Sequence, residues 1–165
     1  NIDEFDWAVH GRRKGEKQRV ITNVYYQMGA DNYMTYLREK YAQIEANEQR
    51  WESVCTEDAE IVLVAYGISS RVSKEAVKVA RRRGMKLGLI RPITLWPFPK
   101  KAFDALGEQV KAFMTVEMSI LGQMVDDVKL AINGAKTVEF FGHCGSEFPT
   151  TEEIKNKILE MKEGK

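Results

Sequence analysis

The sequence predicts an α/β fold of three layers: a mostly parallel, mixed sheet between helices, preceded by a long connector helix. Three observations carry this. Residues 61–66 (IVLVAY) are an unbroken apolar run, as a strand buried on both faces requires. From there to the end, strand-like and helix-like patterns alternate, and parallel strands need helical crossovers of that kind. Glycine or proline marks the joints, at Gly67, Gly84, Pro92, Gly134 and Gly142.

The elements follow in chain order. Residues 1–30 lack periodicity; a basic polar stretch (11–19) and a short strand-like run (20–26) read as a linker or arm. Residues 32–53 read as one helix. Met34, Leu37, Tyr41, Ile44 and Trp51 make a narrow heptad-like stripe interrupted by Glu48, suited to a helix laid across another surface. Asp31 or Asn32 can cap its start. The expected division is 1–58 for arm and connector helix and 59–165 for the α/β domain.

After the strand at 61–66, Ser69 or Ser70 is expected to cap a helix whose inner side is Val72, Ala76, Val79 and Ala80. Arg81, Arg82 and Arg83 suit the negative end of its dipole, and Gly84 supplies a left-handed stop. Residues 85–90 form a second strand. Residues 91–99 (RPITLWPFP) form a loop, because three prolines remove donors and fix φ. A short helix (100–106), a third strand (110–117) and a helix with the stripe Leu121, Val125, Val128, Ala131 and Ile132 follow. That helix stops at Asn133–Gly134. A fourth strand covers 137–141, then a loop, 142–149. Thr150 and Glu153 make a capping box for the last helix, with Ile154, Ile158 and Met161 inward.

Bulk properties exclude several classes. The 165 residues suit about one domain, and such a domain buries about 70% of its unfolded surface. Lys and Arg number 25 against 24 Asp and Glu, so charge gives no case for a nucleic-acid or anionic-membrane partner. No run approaches the roughly 18 apolar residues of a membrane span. Residues 1–6 are polar and acidic, unlike a secretory leader, and a cytoplasmic location is expected. The start at Asn1 suggests a piece of a longer chain. Cys55 and Cys144 form no CxxC pair, and two thiols cannot hold an iron–sulfur cluster that takes four. Free thiols in a reducing compartment are the expectation, ahead of a disulfide.

In open parallel sheets, ligands bind beyond the C-terminal strand ends. The candidate rim or interface residues are therefore Ser69, Ser70, Arg91, Thr94, Trp96, Phe98, Glu117, Gly122 and His143. Ser69 and Ser70 could help cradle an anion, though a plain helix cap accounts for them better. Glu117 could act as a base or meet a partner's backbone, and a structural hydrogen-bonding role ranks first. His143 beside Cys144 suggests a nucleophile or metal pair, but sequence neighbours rarely have that geometry. Trp96 and Phe98 on a proline-stiffened loop suit interface anchors, with packing inside the domain as the equal alternative. Arg81–Arg83 could hold phosphate, behind the reading of a solvated helix end. No residue is assigned a catalytic, cofactor-binding or metal-binding role.

Residues 64–99, VAYGISSRVSKEAVKVARRRGMKLGLIRPITLWPFP, resemble the C-terminal domain of the α subunit of 2-oxoacid:ferredoxin oxidoreductases. More distantly they resemble the C-terminal domain of transketolase. FMTVEMSILGQMVDDVKLAI (113–132), FFGHCGSEFPTTEEI (140–154) and the helix ending EKYAQIEANEQRWE (39–52) fit in the same order. The resemblance implies a transketolase C-terminal-like fold with a five-stranded mixed sheet, the fifth strand lying at 20–26 or in a short unrecognised piece. It implies a subunit-assembly role in a complex that oxidatively decarboxylates a 2-oxoacid, of the 2-oxoisovalerate (branched-chain) type or, next, the 2-oxoglutarate type. Thiamine diphosphate, magnesium, iron–sulfur clusters and coenzyme A are implied for the intact complex, and none for this stretch, which alone should be inactive. Implied partners are the upstream pyrimidine-binding domain, the other subunits, ferredoxin through the whole complex, and a second copy. The alternatives are an anion- or small-molecule-binding module at the rim, and a free-standing receiver or flavodoxin-like protein. A receiver needs an acceptor aspartate at a strand end, and none of the four ends has one.

Overall fold

The structure is a computed structural model that describes residues 14, 15 and 28–163. The chain divides into two compact units, Asn1–Lys40 and Tyr41–Lys165. The strand-like run at 20–26 lies outside the described residues. Helix α1 is Ala30–Asn47, and none of its residues is buried.

The second unit holds a five-stranded sheet of β1 (Trp51–Val54), β2 (Ile61–Ala65), β3 (Leu87–Pro92), β4 (Ala112–Glu117) and β5 (Thr137–Gly142). Its order is β1-β3-β2-β4-β5. The pairs β2–β3, β2–β4 and β4–β5 are parallel, and β1 joins β3 antiparallel at the edge. The helices are α2 (Gly67–Arg82), α3 (Lys100–Asp104), α4 (Met124–Ala131) and α5 (Thr151–Glu163). This is the three-layer α/β architecture with a mostly parallel mixed sheet that the alternation predicts.

The layering follows from the two-residue period of a strand, which sends successive side chains to opposite faces. Along β2, Ile61, Leu63 and Ala65 enter one core with Ala76, Val77 and Ala80 of α2 and Ile154 and Ile158 of α5. Val62 and Val64 enter the other, with Phe103 of α3 and Met124 and Val128 of α4. All five β2 residues are buried, which is why the run carries no polar alternation.

Three expectations need correction. The connector helix ends at Asn47, not near residue 53, and Trp51–Val54 is the fifth strand. The side-chain amides of Asn47 and Gln49 donate to the carbonyls of Gln43 (2.9 Å) and Glu45 (2.8 Å), and Lys101 Nζ donates to Ala46 O at 2.6 Å. The bonds to Glu45 and Ala46 satisfy last-turn carbonyls that a helix leaves open. The sheet thus reaches back past the expected boundary at residue 59. Second, α2 begins at Gly67, and its cap position is Tyr66, which makes no side-chain capping bond. Ser69 and Ser70 lie inside the first turn, so neither is the cap. Third, Leu121 is no part of an inward helical stripe. It precedes α4 in a loop and is 85% exposed, while Met124 takes the core position.

Candidate functional site

Because β2, β3, β4 and β5 run parallel, their C-terminal ends share one edge, and the loops leaving them form the predicted rim. The order of the strands brings together groups far apart in sequence.

Glu117 ends β4 and is only 2% exposed. Its Oε2 accepts the backbone N–H groups of Gln123 and Met124, both at 2.9 Å, and its Oε1 accepts that of Val125 at 3.0 Å. These are orphan amides at the start of α4, a helix whose cap residue, Gln123, makes no side-chain capping bond. Glu117 therefore caps α4 from the neighbouring strand, and a carboxylate suits the positive end of that helix. This is the structural hydrogen-bonding role. Nearby, burial, and then the charges of Asp126 and Glu117, push the Asp127 carboxyl above its ordinary range.

Gly122 closes the turn between Glu117 and α4. Its φ is +77°, and an added Cβ would lie 2.8 Å from the Phe140 ring and 2.9 Å from Val125 Cγ1. Its N–H donates to Ser119 Oγ at 3.1 Å. Both left-handed backbone and lack of space require glycine here.

The loop after β3 separates its candidates. Thr94 Oγ1 accepts the Arg50 N–H at 3.0 Å, and the Thr94 N–H donates to Arg50 O at 3.2 Å, fastening the loop to the lead-in of β1. Phe98 stacks on Phe103, centroids 5.7 Å apart, and packs against the second core. Trp96 stays more than half exposed and meets the Tyr41 ring edge-on at 5.5 Å. The two aromatics thus divide the two roles offered to them: one is core, the other is surface.

Ser69 and Ser70 are buried. Ser70 Oγ donates to Gly67 O at 2.7 Å, and the Ser70 N–H to Tyr66 O at 3.2 Å. Neither donor of Ser70 is left for an anion. His143 stands edge-on to Phe141, with Nδ1 3.6 Å from Glu147 and Nε2 3.3 Å from Glu153, the latter poorly aligned for a hydrogen bond. The predicted capping box forms. Glu153 accepts from the Thr150 N–H (2.9 Å) and hydroxyl (2.6 Å), and its own N–H donates to Thr150 Oγ1 at 3.3 Å. The hydroxyl bond leads in holding the Glu153 carboxyl below its ordinary value. Arg81 is not a phosphate ligand: its guanidinium is spent on Leu87 O, Asp58 and Cys55 O.

Arg91 pairs with Glu52, directly opposite it on β1, at 3.3 Å, and Glu52 also pairs with Lys74 of α2. The hydrogen bond from Lys74 leads in lowering the Glu52 carboxyl, with Arg91 adding to it against the opposing effect of burial. Sequence reading missed this trio, whose members lie 22 and 39 positions apart.

It named Trp96 as an apolar anchor but missed the rest of the rim's apolar residues. Ile68 follows β2, Ile93 and Trp96 follow β3, Ile120 and Leu121 follow β4, and Phe148 follows β5; all are exposed. Ile120 and Leu121 are 72% and 85% exposed, on a turn that Glu117 and Gly122 hold fixed. The signal was available only in part: Ile93, Trp96, Ile120 and Phe148 are apolar residues at strand-end turns, whereas Leu121 lies in phase with the helix that follows and Ile68 lies within α2.

Among the described residues, no three His, Cys, Asp or Glu side chains converge as a metal site. Cys55 and Cys144 are exposed free thiols. Two separate thiols are too few for an iron–sulfur cluster that takes four.

The described residues define an α/β/α domain with exposed apolar side chains where its parallel strands end. Residues 59–154 match the family model for pyruvate:ferredoxin oxidoreductase core domain II, and the chain belongs to that family. It is 46% identical over 159 residues to the ketoisovalerate oxidoreductase subunit VorB of Methanothermobacter marburgensis, covering 96% of this chain and 44% of that protein. It is 39% identical over 107 residues to the 2-oxoglutarate synthase subunit KorA of the same organism, covering 65% of this chain and 28% of that one. The chain thus spans less than half the length of these relatives. A 2-oxoglutarate:ferredoxin oxidoreductase from Magnetococcus marinus shares the fold, with a TM-score of 0.63 at 21% identity over 79% of this chain and 23% of that one. So does an inactive split-gene transketolase tetramer, with a TM-score of 0.57 at 19% identity over 67% of this chain and 40% of that one.

Proposed function

We propose that this chain is the C-terminal structural and assembly domain of the α subunit of a 2-oxoacid:ferredoxin oxidoreductase acting on branched-chain 2-oxoacids. The observation that carries this is the apolar rim. Aromatic and aliphatic side chains on three strand-end loops and the first turn of α2, held by a rigid scaffold, are what a protein interface needs at its centre. The proposed occupants are the pyrimidine-binding domain of the same subunit and the other subunits. Thiamine diphosphate in the intact complex would supply the electron sink for decarboxylation, with magnesium, iron–sulfur clusters and coenzyme A also outside this chain. This chain's own contribution is to fix the pose of its neighbours. Its similarity to VorB supports the branched-chain assignment, and a cytoplasmic location accords with it.

Two measurements test the reading. The isolated chain should reduce no viologen dye with 3-methyl-2-oxobutanoate and bind no thiamine diphosphate in calorimetry; tight cofactor binding would overturn the reading. In the full complex, Ile120→Asp with Leu121→Asp should leave this domain folded, since both side chains are exposed, yet dissociate the other subunits from the subunit that carries it, as seen in size-exclusion chromatography. Normal assembly of that variant would equally count against it.

A further inference from the structure

A cleft of about 470 Å³ opens between the first turns of α2 and the β1–β3 edge of the sheet, lined in part by Glu52, Ser70, Arg71, Lys74, Leu89 and Arg91. Its construction follows from strand alternation. Leu87 and Leu89 lie in the core beneath α2, and Arg91, two residues further, rises from the same sheet face where that core ends. Three cations from two elements share the cleft with one carboxylate. Glu52 engages Lys74 and Arg91, fixing both against the sheet edge. Arg71 has no ion-pair or hydrogen-bond partner among the described residues, and it is exposed. The cleft's charge is therefore unbalanced, and its most available donor group is a guanidinium, whose planar fork matches an oxyanion with two bonds.

We infer that this cleft binds the oxyanion group, phosphate or carboxylate, of a small-molecule ligand, with Arg71 as the primary contact and Lys74 and Arg91 as preset flanking cations. The cleft's volume falls within the roughly 300–1,000 Å³ of small-molecule sites, so it has room for more than the charged group. Glu52 limits the site to ligands whose negative charge outweighs its own repulsion, which favours phosphates and dicarboxylates over monocarboxylates. Ser70 contributes shape only, because its hydroxyl and amide are already bonded.

The inference goes beyond the assembly role: the cleft shares Ile68 with the apolar rim, and its test is read on this chain alone, so the two can fail separately. Inorganic phosphate and succinate are titrated separately into the 165-residue chain at constant ionic strength, with amide and arginine Nε shifts followed by NMR. Expected is saturable binding of at least one of them, with shifts confined to residues 67–74, 89–91 and Glu52. Phosphate binding tighter than succinate marks a phosphorylated ligand; the reverse marks a carboxylate. Arg71→Ala should weaken binding at least tenfold without moving the melting temperature, and Lys100→Ala, remote from the cleft, should change nothing. Non-saturating shifts spread over many lysines, or binding that survives Arg71→Ala, would overturn the inference.

Discussion

Glu117 and Val125 lie eight positions apart, and the carboxylate of the first accepts the backbone N–H of the second at 3.0 Å, with two more amides of the same helix start on its other oxygen. One buried side chain thus joins the end of β4 to the beginning of α4 and sets the turn that displays Ile120 and Leu121. Glu117→Ala should destabilise the domain by about 2–3 kcal/mol, the range for charged hydrogen bonds and the amides left without them. Urea denaturation checks this. A loss under about 0.5 kcal/mol, the size of an ordinary surface change, would remove the capping role.

Gly122 and Gly84 share a φ of +77°, but only Gly122 is crowded. Gly84→Ala should cost about 1–2 kcal/mol, the left-handed backbone penalty alone. Gly122→Ala should cost about 1–3 kcal/mol more, because Phe140 and Val125 must also move. Equal losses in the two variants would mean that the crowding is relieved without cost.

Glu52 gives a pH signature. Its ordinary value is 4.5, and Lys74 foremost, then Arg91, lowers it in the folded protein. A carboxyl depressed on folding contributes stability above its unfolded value and loses it as pH falls through the folded one. The urea midpoint of the parent should therefore exceed that of Glu52→Gln above about pH 4.5. The gap should close on further acidification. A gap that stays constant down to pH 3 would contradict the pairing.

Arg81 anchors the end of α2 to two carbonyls and Asp58 at 2.6–2.8 Å. Lysine keeps the charge but not the fork, so Arg81→Lys should lose about 1–2 kcal/mol. Thermal unfolding monitored by circular dichroism measures it; an unchanged melting temperature would show that one ammonium serves as well.

The layered fold was readable because β2 is apolar at every position and the helices that flank it are periodic. The edge strand was not. Trp51 continues the spacing of Ile44, so the stripe runs on through it, whereas the helix has already ended at Asn47 under side-chain caps that no glycine or proline announces. Only pairing with β3, 39 residues away in the Glu52–Arg91 rung, makes WESV a strand. Leu121 was misplaced for a similar reason: it sits four residues before Val125, in helical phase, and Gly122 breaks the phase between them. The Thr150–Glu153 box was legible because that cap is local, while Glu117 was legible as a structural hydrogen-bonder but not as the cap of α4, whose amides lie six to eight residues on. The cation cleft was not, because it needs three elements brought side by side.

The antiparallel direction of β1 has one more effect. Trp51 pairs with Pro92, so this strand starts at the edge where its neighbours finish, and Arg50 is bonded to Ile93 and Thr94 there. Residues 46–50 are thereby pinned at the end where the parallel strands finish, and the open backbone edge of β3 is covered by the chain's own strand instead of being left to pair with another polypeptide.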